Sequence, residues 1–163
     1  MTTFLKTWLA HVMAAPHTAP SESELAILIV DDDVSACLYA DHVLRRAGYE
    51  PVTASSGLEA VAKAGAMPRL DLLVTALMMP DMNGDALAAI LRRRDEELKV
   101  LYLAGFFDRL AAEKVALRDG GAFLETPYSI TGLEQALSLL VYGRLDPPVR
   151  GAAVSASAPA LWR

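Results

Sequence analysis

Five short apolar runs alternate with five amphipathic patterns between residues 25 and 143, and no other feature of the 163-residue chain restricts its fold as strongly. "AILIV" is followed by a stripe of Val34, Cys37, Ala40, Leu44 and Ala47. "EPVTA" precedes "SGLEAVAKAG", where Ser56 and Glu59 stand at capping-box spacing. "LDLLVT" precedes "GDALAAILRRR", "KVLYLA" precedes "FDRLAAEKVALRD", and "AFLE" precedes a stripe of Ile130, Leu133, Leu137 and Leu140. Runs apolar on both faces belong to strands covered on both sides, and a helix between successive strands permits parallel pairing through right-handed crossovers. The expected fold is α/β: a five-stranded parallel sheet with helices on both faces.

The flanks read differently. Residues 15–24, "APHTAPSESE", have linker composition, and residues 144–163 have the Pro, Ala and Ser content of a disordered tail. In residues 1–13, Phe4, Leu5, Trp8, Leu9, Val12 and Met13 fall on one side of a helical projection, which predicts a short amphipathic helix. Lys6 and His11 interrupt its apolar stretch, which argues against a secretory leader. The organisation expected is therefore an N-terminal helix and linker (1–24), one α/β domain (25–143) and a tail (144–163). The roughly 20 residues after Tyr142 are too few for an output domain.

Charge and composition remove several classes of function. A net charge of −5 with scattered basic residues argues against nucleic acid, and no stretch reaches the roughly 18 apolar residues that a membrane span requires. Cys37 is the one cysteine, so no disulfide can form within the chain, as suits the cytoplasm. There is no Gly-rich phosphate loop, no G-x-S-x-G elbow and no Cys/His metal spacing. His11 and His17 fall outside the domain, and His42 lies in a charged stretch of the first helix; all three read as solvated.

In open parallel sheets the working site lies beyond the carboxyl ends of the strands. The first strand ends in Asp31-Asp32-Asp33, which suits either a cation site or an acidic turn capping the next helix. The third ends at Thr75-Ala76, the fourth at Ala104-Gly105 and the fifth at Thr126-Pro127. Here "ILIVDDD", "DLLVTALMMPDMNG", "VLYLAG" and "FLETPYS" resemble, in order and spacing, the successive signatures of the receiver domain of bacterial two-component response regulators.

The resemblance implies a flavodoxin-like sheet with a phosphorylation pocket at its carboxyl edge. It assigns magnesium binding to Asp31, Asp32 and the backbone carbonyl of Met78. It places the phosphoacceptor position at Ala76, the hydroxyl position at Ala104 and the lysine position at Thr126, so the acceptor carboxylate, the hydroxyl donor and the ammonium are all missing. It also implies a cis bond at Thr126–Pro127 and an interaction face of the fourth helix, fifth strand and fifth helix, bearing Phe106, Phe107, Phe123 and Tyr128. Phe123, at the switch-aromatic position, and one of Phe106 and Phe107 are expected in the core.

Phosphoryl transfer to a carboxylate needs a nucleophile, a divalent cation and donors that hold the product. An alanine supplies none of these. Thr75 points away by the two-residue period of a strand, and Asp81 would need a remodelled loop. The functional expectation is a non-enzymatic pseudo-receiver that requires no cofactor, binds magnesium weakly at most, and contacts a histidine kinase, another regulator or a second copy of itself. The alternatives are a receiver with a non-standard acceptor and a pocket that takes a small ligand or metal.

Overall fold

The computed structural model describes residues 25–143. Their order is β1 (Ile27–Val30), α1 (Val34–Arg46), β2 (Val52–Ala54), α2 (Gly57–Ala66), β3 (Leu72–Ala76), α3 (Gly84–Arg92), β4 (Lys99–Ala104), α4 (Arg109–Asp119), β5 (Ala122–Glu125) and α5 (Ile130–Tyr142). A short 3-10 turn, Phe106–Asp108, leads into α4. The strands pair in parallel in the order β2-β1-β3-β4-β5, with Val30 opposite Thr75 and Ala76 opposite Leu103. The expected helix over residues 4–13 and the tail from 144 lie outside the described residues.

The all-apolar strands follow from their position. Every residue of β1 and β3 is buried, and successive side chains serve opposite layers. Leu28, Val30 and Leu73 pack with Ala60 of α2, Leu87 of α3 and Ala112 of α4. Ile27, Ile29 and Val74 pack with Cys37 and Leu44 of α1 and with Leu133 and Leu137 of α5. β5, at the sheet edge, is only half-buried along its length.

Local chemistry sets the helix starts. Asp33 caps α1, accepting from the N–H groups of Ser35 (2.8 Å) and Ala36 (3.3 Å). Ser56 caps α2 by accepting from the Glu59 N–H at 3.1 Å, while the Glu59 carboxylate reaches back to the N–H of Ser55 at 2.8 Å instead of that of Ser56. Ser129 caps α5 by accepting from the Gly132 N–H at 3.0 Å.

Two expected core positions are not in the core. Val34 and Ile130 are exposed, whereas Val43 and Ser138 are buried. Val34 and Ile130 are the first residues of their helices, where the chain has just rounded the carboxyl edge of the sheet and the helix stands beyond the strands it later covers.

Candidate functional site

The register sets the strand ends side by side. Because Val30 pairs with Thr75, the next residue, Asp31, stands level with Ala76; Ala104 pairs with Glu125, and the Thr126 N–H donates to the Ala104 carbonyl at 2.8 Å. Asp31, Ala76, Ala104 and Thr126 thus follow one another along the carboxyl edge of the sheet, with Asp31 and Ala76 flanking the point where the strand order reverses. The Thr126–Pro127 bond is cis.

The three aspartates do three different things. Asp31 is buried and accepts from the Asp33 N–H at 2.9 Å; burial pushes its carboxyl above the usual range, and the charges of Asp32 and Asp33 add to this. Asp32 is exposed. Asp33 turns away to cap α1, so the capping reading holds for that residue.

The positions that the receiver resemblance assigns to a divalent cation are Asp31, which is buried, Asp32, which is exposed, and, by its backbone carbonyl, Met78, whose side chain is exposed. Ala76 adds no carboxylate. Among the described residues no three His, Cys, Asp or Glu side chains cluster as a metal site. Two carboxylates and a carbonyl would leave about three of the six octahedral positions of a magnesium ion to water.

The neighbours that might replace the missing chemistry are already engaged. The Thr75 hydroxyl donates to the Ala76 carbonyl at 3.0 Å on the side of α3, where Gly84 presses so close that a Cβ there would meet the same carbonyl. Asp81 accepts from the Leu58 N–H at 3.0 Å, and that bond holds its carboxyl below the usual range; it fastens the β3–α3 loop to the start of α2. Lys63 donates to the Thr53 carbonyl at 2.6 Å and pairs with Glu59 at 2.7 Å. Lys63, Glu59, Asp31 and Cys37 line a cleft of about 160 Å³ between α1, β2 and α2, on the far side of β1 from Thr126. Sequence reading missed this cleft and the role of Lys63, for which only the i, i+4 spacing of Glu59 and Lys63 is a signal. A second cleft, of about 530 Å³, opens at the opposite edge between Leu25, Leu70 and Leu98 and is remote from the strand ends.

The four aromatic positions separate. Phe106 and Phe107 are both exposed, in a T-shaped contact with ring centroids 5.7 Å apart, which corrects the expectation that one of them packs in the core. They stand on the 3-10 turn before α4, where the chain passes over the sheet edge. Phe123 is half-buried against the layer under α4. Tyr128 is in the other layer, its ring 5.6 Å from that of Tyr39 on α1, and burial raises its phenol to about 12. Its ring thus packs in the opposite layer from that of Phe123.

Another group without a sequence signal holds α4 in place. The buried Tyr102 donates to Asp119 at 3.1 Å; Asp119 also pairs with Arg118 at 2.8 Å and stands 3.7 Å from Arg92 of α3.

A doubly wound parallel sheet in this strand order, with acidic residues at the carboxyl end of β1, defines the flavodoxin-like class. The chain belongs to the response regulator receiver domain family, whose model matches residues 27–138. It is 31% identical over 106 residues to the alkaline phosphatase synthesis transcriptional regulatory protein PhoP of Bacillus subtilis, covering 63% of this chain and 42% of that protein. It is 26% identical over 108 residues to the sensor kinase CckA of Brucella abortus, covering 66% of this chain but only 11% of that protein. The chain therefore spans less than half the length of these relatives. Among solved structures, the chemotaxis protein CheY4 of Vibrio cholerae superposes with a TM-score of 0.64 at 28% identity, over 71% of this chain and 98% of that one. A receiver domain from Clostridium thermocellum superposes at 0.67 with 23% identity, over 73% and 95% respectively. The described residues thus form a receiver domain of the kind found in two-component systems. Among the described residues no helix is long and apolar enough to cross a membrane.

Proposed function

We propose that this receiver has given up aspartyl phosphorylation and signals in the cytoplasm through protein contacts, as a pseudo-receiver and not as an enzyme. The observation that carries the reading is the row of strand ends: Ala76, Ala104 and Thr126 occupy the ends of adjacent strands β3, β4 and β5, and Asp81 and Lys63, which could have substituted, are bound elsewhere. Without a nucleophilic carboxylate no acyl phosphate can form, and without the hydroxyl and ammonium nothing would hold one. Magnesium at Asp31, Asp32 and the Met78 carbonyl is weak and serves no chemistry. The partner face is the exposed apolar surface at Phe106 and Phe107 running onto α4, with Phe123 beneath it; the partner is a histidine kinase, another regulator or a second copy of the chain. Exposed aromatics on such a face are the expected anchors.

Incubation with acetyl phosphate and magnesium, read by intact mass, tests the reading. No adduct is expected. A stoichiometric addition of one phosphoryl group, lost on mild base treatment, would make the protein a receiver with a non-standard acceptor.

A further inference from the structure

The outer side of α4 and the 3-10 turn before it carry large apolar side chains open to solvent, among the exposed charges of Arg109, Glu113, Lys114 and Arg118. Phe106 is 69% exposed, Phe107 95%, Leu110 72% and Leu117 79%. The inner side meets the sheet through the small side chains of Ala112 and Ala116, with Val115 half-buried, so the helix carries apolar residues on two opposite sides. Phe107, Leu110 and Leu117 fall on one side at spacings of 3 and 7, with the stem of Lys114 between the two leucines. Four large apolar side chains so placed reach the several hundred Å² at which an exposed patch signals an interaction site.

The chain carries a segment of matching character. Residues 1–24 lie outside the described residues, and their sequence sets Phe4, Leu5, Trp8, Leu9, Val12 and Met13 on one side of a helical projection, with no acidic residue before Glu22. Eleven residues, 14–24, connect this stretch to Leu25. Leu25 stands at the amino edge of the sheet, the edge at which α4 ends in Asp119; β1 and β5 are three strands apart, about 14 Å in the plane of the sheet, and a helix packed on the outer side of α4 lies roughly two packing layers, about 19 Å, above that plane, about 24 Å away in all. A random coil of eleven residues has a root-mean-square span of about 18 Å. Fully extended, eleven residues reach about 36 Å, so the connection spans the distance, and a short flexible linker holds its ligand at an effective concentration on the order of 1 mM. At that concentration a segment with an intrinsic Kd of about 0.1 mM is docked roughly nine-tenths of the time.

We propose that residues 4–13 dock as a helix along the Phe107, Leu110 and Leu117 side of α4, so that the chain covers this face with its own N-terminal segment. The regulatory consequence, that a partner must displace the segment, rests on the partner face proposed above; the docking does not.

The full chain tests it. Trp8 and Trp162 are its two tryptophans, so Trp162→Phe leaves Trp8 as the single indole reporter. Trp8 emission is expected to lie to the blue of that of a peptide of residues 1–20, with iodide quenching several-fold weaker. Leu110→Ser together with Leu117→Ser should bring both readings to the peptide's values with the cooperative unfolding of the domain retained and helical circular dichroism reduced only by about the ten residues released, and Leu5→Ser with Leu9→Ser should do the same from the other side. If the α4 pair does not fold, Leu110→Gln alone repeats the measurement at an exposed position. Peptide-like emission in the chain carrying only Trp162→Phe would overturn the proposal, as would blue emission that survives the α4 substitutions. Blue emission that fades on dilution, while light scattering shows a dimer becoming a monomer, would assign the face to a second copy and also overturn it. None of these readings depends on phosphorylation, so failure here and failure of the pseudo-receiver reading are distinguishable.

Discussion

Ala76 brings the question of lost chemistry down to one side chain. It is buried and level with Asp31, whose carboxyl burial already holds above the usual range, so Ala76→Asp introduces a second carboxylate into a place that resists the first. The new group should titrate above the usual range near 4 in the absence of metal, and magnesium affinity should rise about tenfold, roughly 1.4 kcal/mol. Carboxyl chemical shifts with and without magnesium would check both. Ala76→Asp alone should not produce a stable beryllofluoride complex, whereas adding Ala104→Thr and Thr126→Lys should, with shifts along β4 and β5. A full response from Ala76→Asp alone, or none from the folded triple variant, would show that the backbone is not poised as described. These three positions were legible because each ends a strand, and strand ends can be read from apolar runs. The engagement of Asp81 with α2 was not, because it joins residues 23 apart through a loop whose path no local pattern specifies.

Within the elements, caps and close approaches make sharper predictions than the stripes do. Asp33→Ala removes the acceptor of two N–H groups at the start of α1 and should lower stability by about 1 kcal/mol in urea denaturation, while Asp32→Ala should stay within about 0.5 kcal/mol. Two glycines make a similar pair. A Cβ at Gly84 would meet the Ala76 carbonyl oxygen and, at 3.0 Å, the Thr75 methyl, so Gly84→Ala should cost about 1–3 kcal/mol. Nothing lies within 4 Å of a Cβ at Gly65, inside α2, so Gly65→Ala should add about 0.5–1 kcal/mol. Equal effects at the two sites would show that β3 and α3 are not in the contact described. Sequence periodicity found the inner stripes of α1 and α5 but placed Val34 and Ile130 on them, because a 3.6-residue period does not say where along a helix the sheet beneath it begins.

Over the whole molecule, strict alternation of strand and helix made the topology legible, since parallel pairing with right-handed crossovers leaves few arrangements. What fastens the outermost helix to that frame was not legible, because it depends on Tyr102 meeting Asp119 across 17 residues. The response to acid follows from this contact. Bonding to Arg118 above all, and to Tyr102, holds the Asp119 carboxyl below its usual range against the opposing effect of burial. A carboxyl lowered in the folded state contributes stability above its unfolded pKa, near 4, and that contribution is lost as pH falls through the folded value. Glu59, lowered to about 2 by Lys63 and Ser55, and Asp81, lowered by the Leu58 N–H, act with the same sign; Asp31, raised by burial, acts against them. Stability in urea should therefore fall as pH is taken from about 5 towards 2. Asp119→Asn keeps an acceptor for Tyr102 but loses the charge facing Arg118 and Arg92. Because Arg118 is largely exposed, screening limits the loss to about 1 kcal/mol at pH 7, and the difference between variant and parent should shrink as pH falls below about 4. A variant as stable as the parent at neutral pH, with an acid slope just as steep, would show that α4 is held by its alanine contacts alone and that Asp119 adds nothing to them.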